Sequence, residues 1–179
     1  RNFFGIVNGY DKKLISPNKN KIDHINEFFK DFDFRVYDEN NIDGKHHNKE
    51  EFIKLISRLA SDREYKNKTI PLIDTYKFED ISKSVKNPAK TPIFCATSRL
   101  VEQKGYDIAA QAMINLCKKY TNFKRELPIF ILGGAGDANY FELLTKLKDK
   151  VAQMNPKAAQ RIFVFRGYKD EFAYAVQLA

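Results

Sequence analysis

The chain has 179 residues, of which 43% are hydrophobic, 13% aromatic and 30% charged. That is long and apolar enough for a sizeable buried core and excludes a disordered tail. Eight glycines and six prolines are too few for a turn-dominated all-β protein, and no run of about 18 apolar residues marks a membrane span. The formal net charge of +8 raises nucleic-acid binding. Yet Lys and Arg outnumber the acids 18 to 15 over residues 1–90 and 13 to 8 over residues 91–179. Basic and acidic residues interleave in both halves, unlike a basic arm or stripe, so no nucleic-acid partner is expected.

At the N-terminus, "RNFFGIVNGYDKK" has neither the basic start nor the apolar stretch of a signal peptide. The first residue is Arg1 rather than Met, which reads as a piece of something longer. Residues 12–91 form a Lys/Asn-rich, weakly periodic and partly irregular segment. Within it, "KIDHINEFFKDF" puts Ile22, Ile25, Phe28 and Phe29 on one helical face. "NKEEFIKLISRLA" does the same with Phe52, Ile53, Ile56 and Leu59, with Asn48 as its N-cap and Glu50 and Glu51 in the first turn. Residues 62–91 read as a loop with one or two short elements. His46 and His47 are adjacent and point different ways on any regular element, so no metal site is expected there.

From Pro92 the pattern alternates. "PIFCAT" reads as a buried strand, and "YDIAAQAMINLCKKY" as a helix with Ile108, Ala109, Ala112, Met113, Leu116 and Cys117 facing inward. "LPIFILGG" is a second strand, and "NYFELLTKLKDKVAQM" a helix burying Phe141, Leu144, Leu147 and Val151. "RIFVFRG" is a third strand and "DEFAYAVQLA" opens a third helix. Continuous apolar strands separated by helix-length segments predict an α/β fold, a Rossmann-like parallel sheet with helices on both faces. Cys95 and Cys117 sit in apolar runs outside any CxxC or Cys/His cluster, which reads as buried, reduced thiols of an intracellular protein.

In such sheets ligands bind beyond the carboxyl ends of the strands. "SRLVEQKG", "GGAGDANY" and "RGYKDEF" fall there, each after a strand and before a helix whose free N–H groups attract anions. Arg99 can fork onto phosphate oxygens and Lys104 adds a mobile point charge, a pair suited to a diphosphate. Taken singly, an exposed Arg or Lys at a strand–helix junction is more often solvated surface than a ligand site. "GGAGDAN" lacks the third glycine of the dinucleotide fingerprint, and no GxxxxGK[ST] is present. Gly133, Gly134 and Gly136 read instead as a sharp turn open to close approach by a ligand.

Five stretches carry a resemblance: "GIVNGYD" at 5–11, "DGKHHNKEEF" at 43–52, "SRLVEQKGYDIAAQA" at 98–112, "ILGGAGDANY" at 131–140 and "RGYKDEFAYAV" at 166–176. In this order the chain resembles bacterial glycogen synthases and plant starch synthases, retaining glucosyltransferases built from two facing Rossmann-like domains. Residues 12–42 and 60–91 depart from that pattern. The resemblance implies transfer of glucose from ADP-glucose to the non-reducing end of an α-1,4-glucan, in the cytoplasm or a plastid. It implies that Arg99 and Lys104 hold the diphosphate and steady it as a leaving group, and that Asn8 lines the glucose pocket. It implies Tyr168 near the adenine, and Gly133, Gly134, Gly136 and Asp137 beside the nucleotide. It implies no metal ion, and no cofactor beyond the donor itself. The family's acidic E-x7-E segment would begin beyond Ala179, and its acceptor-binding N-terminal domain would be a missing partner, so residues 1–179 are expected to be inactive alone. Alternatives are another glycosyltransferase of the same two-domain architecture, or an inactive relative that binds glucan or a partner protein.

Overall fold

The computed structural model describes residues 17–38, 40–120 and 127–179. Asn18 starts the first helix, α1 (Lys19–Phe28), by accepting from the Lys21 N–H at 3.1 Å, the usual role of an amide at a helix start. Ile22 and Ile25 are buried on its inner face, and Phe29, Phe32 and Phe34 follow into the same core. The second helix, α2 (Asp43–Ser61), buries Phe52, Ile53, Ile56 and Leu59 as their spacing predicts. It begins five residues before the expected cap: Asn48 lies inside the helix and is fully buried. Its amide serves the backbone of a different segment, accepting from Arg35 N–H at 2.7 Å and donating to Arg35 C=O at 2.9 Å. Asn26 treats Phe34 the same way, at 2.8 and 2.9 Å, and Glu51 accepts from Asp33 N–H. Residues 33–35 thus have backbone groups satisfied by side chains rather than by a strand. Residues 62–91 contain a short helix, α3 (Arg63–Thr69), a three-residue strand, β1 (Asp74–Tyr76), and a 3-10 turn at Pro88–Lys90.

Three further strands follow, β2 (Ile93–Thr97), β3 (Ile129–Gly134) and β4 (Ile162–Arg166). The sheet order is β1-β4-β3-β2, with β2, β3 and β4 mutually parallel and β1 antiparallel on β4. The connections are α4 (Tyr106–Tyr120), then α5 (Ala138–Met154) with the single turn α6 (Pro156–Ala159); α7 (Asp170–Leu178) follows β4. This is the expected α/β arrangement, compatible with a Rossmann-like domain. Its antiparallel edge was not foreseen, because a three-residue strand leaves almost no periodic signal.

Alternate residues of β3 and β4 feed two cores. Ile129, Ile131, Phe163 and Phe165 join α1, α2 and α7 in an aromatic-rich cluster. Phe130, Leu132, Ile162 and Val164 pack with α4 and α5 in a largely aliphatic one. Both faces are therefore covered, which is why residues 129–132 and 162–165 are apolar at every position.

Two expectations for residues 92–120 are corrected. Strand β2 is an edge strand among the described residues: Phe94 is 50% exposed and Cys95 is exposed as well. An apolar run alone cannot separate an edge position from a central one. Only Cys117 is the buried thiol, and burial pushes it up to about 11. Helix α4 is also rotated from the expected face. It buries Tyr106, Ala110, Met113, Ile114 and Cys117, while Ile108 is 72% exposed. The polar tip of Tyr106 finds partners inside, which turns this residue into the core and Ile108 out of it.

Candidate functional site

Beyond β2 and β3 the two chain segments stay laced together. Ser98 N–H donates to Gly133 C=O at 3.2 Å, Leu100 N–H to Ala135 C=O at 2.8 Å, and Asp137 N–H to Leu100 C=O at 3.0 Å. This lacing requires glycine. Gly134, at φ 149°, leaves no room for a Cβ beside the Ser98 carbonyl oxygen; at Gly136, φ 144°, a Cβ would lie 2.6 Å from Leu100 O. The space that the glycines free is occupied by the chain's own backbone. Gly133 is closed in likewise by Phe165.

Leu100 is fully buried, and its neighbour Arg99 is exposed. Lys104 ends the 3-10 turn Glu102–Lys104, just before Gly105, and is exposed too. Among the described residues neither cation has an ion-pair or hydrogen-bond partner on its side chain. The backbone behind them converges on one buried hydroxyl: Tyr106 Oη lies 3.1 Å from Ser98 N and 3.1 Å from Gly133 O.

Tyr168 follows β4 and is 59% exposed, so it is no packing residue. Its hydroxyl donates to Asp170 at 2.7 Å, a bond that holds the phenol above its ordinary range. Its ring helps to line a small pocket with Thr97, Ser98, Gly134, Lys169 and Phe172. Arg99 and Lys104 do not line this pocket; they lie on the loop that Ser98 begins. Asp137 acts locally. Its carboxylate accepts from Asn139 N–H at 2.8 Å and caps α5. Together with Glu102 and Asp107 it also surrounds Tyr140, whose phenol burial and these carboxylates raise. The helix start at α5 therefore already carries an anion of its own. Asn8 lies outside the described residues.

One cation escaped the sequence reading. Arg166 ends β4, and its guanidinium reaches Gly136 C=O at 3.4 Å, which brings a positive group to the glycine turn. Its signal was present, a lone cation closing the apolar run "IFVFR". Lys169, also nearby, is engaged by Glu171 at 3.1 Å. Among the described residues no three His, Cys, Asp or Glu side chains are grouped to hold a metal ion, and no helix is long and apolar enough to cross a membrane.

Comparison with known proteins adds one relation. The glycogen synthase of Thermodesulfovibrio yellowstonii is 24% identical to the chain over 175 residues, 98% of this chain and 25% of that protein. The likeness supports a link to glycogen synthases only at this level of identity. The chain spans about a quarter of the length of that relative. No protein-family model matches the chain, and no solved structure does.

Proposed function

We propose that the chain is the nucleotide-sugar-binding part of a glucosyltransferase of the glycogen and starch synthase type. The observation that carries this reading is the loop Ser98–Lys104. It is stitched to the glycine turn at the carboxyl ends of β2 and β3, and it presents Arg99 and Lys104 to solvent without partners among the described residues. Two unpaired cations at that end of a parallel sheet suit a diphosphate. The similarity to a named glycogen synthase along 98% of the chain supports the same direction.

In this reading ADP-glucose lies with its diphosphate on Arg99 and Lys104. Breaking the bond between glucose C1 and the diphosphate oxygen leaves an electron pair, and negative charge, on that oxygen. Cations already in place stabilise the developing charge, each by about 2–4 kcal/mol. The 4-hydroxyl of an α-1,4-glucan end then bonds to C1, with retention, and gives its proton to the departing diphosphate. Asn8 is assigned to the glucose and the exposed ring of Tyr168 to the adenine face. Gly133, Gly134 and Gly136 shape the turn beside the nucleotide, with Asp137 holding the start of α5. Glucan binding and the transfer step are assigned to the whole protein, with the facing N-terminal domain as partner.

Calorimetric titration of the chain with ADP and UDP, alongside an Arg99→Ala/Lys104→Ala double variant, tests the reading. The expected result is ADP binding that disappears in the double variant. Binding that survives the double substitution, or no binding of either nucleotide, overturns it. Glucan synthesis from ADP-glucose by the chain alone is not expected.

A further inference from the structure

We infer that Tyr106 is a positioning residue that fixes Arg99 relative to Lys104, an inference that rests on the diphosphate reading of those two cations. The ring of Tyr106 is 1% exposed in the first turn of α4, where packing alone would be served by any apolar residue of that size. Its hydroxyl does something packing does not need. It accepts from Ser98 N–H at 3.1 Å and lies within 3.1 to 3.3 Å of the carbonyl oxygens of Gly133, Ser98 and Ala96. Ser98 Oγ is 3.1 Å away as well. A phenol has one proton to give and two lone pairs, so it ties together the point where β2 ends and its neighbour β3 continues.

The consequence follows from chain order. Tyr106 stands two residues after Lys104, and its hydroxyl grips Ser98, the residue before Arg99. With no side-chain partner among the described residues, Arg99 takes its direction from the backbone at Ser98–Leu100. The hydroxyl therefore closes a small loop, Ser98 to Tyr106, and sets the spacing of the two cations that it carries. A diphosphate needs both at once, and pre-set spacing removes the ordering cost of bringing them together.

The test uses Tyr106→Phe in the full chain, which keeps the ring and removes only the hydroxyl, with Arg99→Ala as the second variant. Amide hydrogen exchange at Ser98 and Leu100 is read beside ADP affinity. In Tyr106→Phe these two amides are expected to exchange about tenfold faster than in wild type, while those of β4 keep their protection. ADP affinity is expected to fall roughly five- to tenfold. Arg99→Ala should lose ADP without faster exchange. Unchanged exchange at Ser98 and Leu100 overturns the inference whatever ADP does. So does wild-type ADP affinity in Tyr106→Phe, or an exchange increase spread evenly over the sheet, which marks a purely structural role. If the wild-type chain binds no ADP, the diphosphate reading fails and takes the ligand half of the inference with it.

Discussion

Residues 17–91 and residues 92–179 solve the same problem, the satisfaction of backbone N–H and C=O groups, in different ways. In the second region strands β2, β3 and β4 pair backbone to backbone, and the lacing continues past their ends through Ser98, Leu100 and Asp137. In the first, residues 33–35 have no strand partner, and the side chains of Asn26, Asn48 and Glu51 take its place. Backbone pairing tolerates almost any side chain that fits the core, whereas the amide clamps depend on a few particular residues. The candidate site lies in the backbone-laced region, where a loop can be held firmly while its side chains stay unoccupied. The N-terminal region contributes the aromatic packing beneath it.

Three substitutions probe this contrast. The largest effect is expected for Phe163→Ala in β4, a fully buried ring in the aromatic core that both regions share. Denaturant unfolding should show a loss of about 3–5 kcal/mol. A loss near zero would mean that the two regions do not share a core. Asn48→Ala comes next: it strands the Arg35 N–H and C=O in a half-buried clamp, for a loss of about 1–2 kcal/mol. Residues 33–35 should gain amide exchange while β3 keeps its protection; equal loosening in β3 would remove the distinction between the regions.

The smallest effect is a pH dependence at Lys148, which joins the regions. From α5 it donates to the carbonyls of Lys77 and Ile162 and stands 3.9 Å from Glu79. Burial is the main cause that pushes its ammonium down to about 8 from the ordinary 10.5. Between these two values the unfolded chain holds more protons than the folded one, so stability rises with pH across that window and is flat below it. Relative to a Lys148→Met variant, wild type should gain about 1 kcal/mol from pH 7 to pH 9. Parallel curves for the two proteins would mean that Lys148 keeps its charge inside.

Much of the second region was legible because its chemistry is periodic. In "LPIFILGG" and "RIFVFRG" the runs "PIFIL" and "IFVF" are apolar at every position for the reason that both faces of their strands are covered. Helix α5 likewise buries Leu144, Leu147 and Val151 as its spacing requires. The loop cations could be located from chain order alone, since the ends of parallel strands are where such loops must lie. The first region was less legible because its decisive residues act across the chain: nothing local says that Asn48 will hold Arg35 rather than cap a helix. Asp137 was hard to read for the opposite reason, a carboxylate beside a glycine turn that serves its own helix start.

By itself the sequence determined the α/β class, the three parallel strands and the position of the Ser98–Lys104 loop and the glycine turn after β2 and β3, because each rests on periodicity or on order along the chain. Only the tertiary structure decided the antiparallel edge at β1, the exposure of Phe94 and Cys95, and the inward turn of Tyr106. It also decided that the glycines make room for backbone and that Arg166 reaches their turn. These depend on which surface meets which neighbour, and a short strand, an edge position or a buried hydroxyl has no period to announce it.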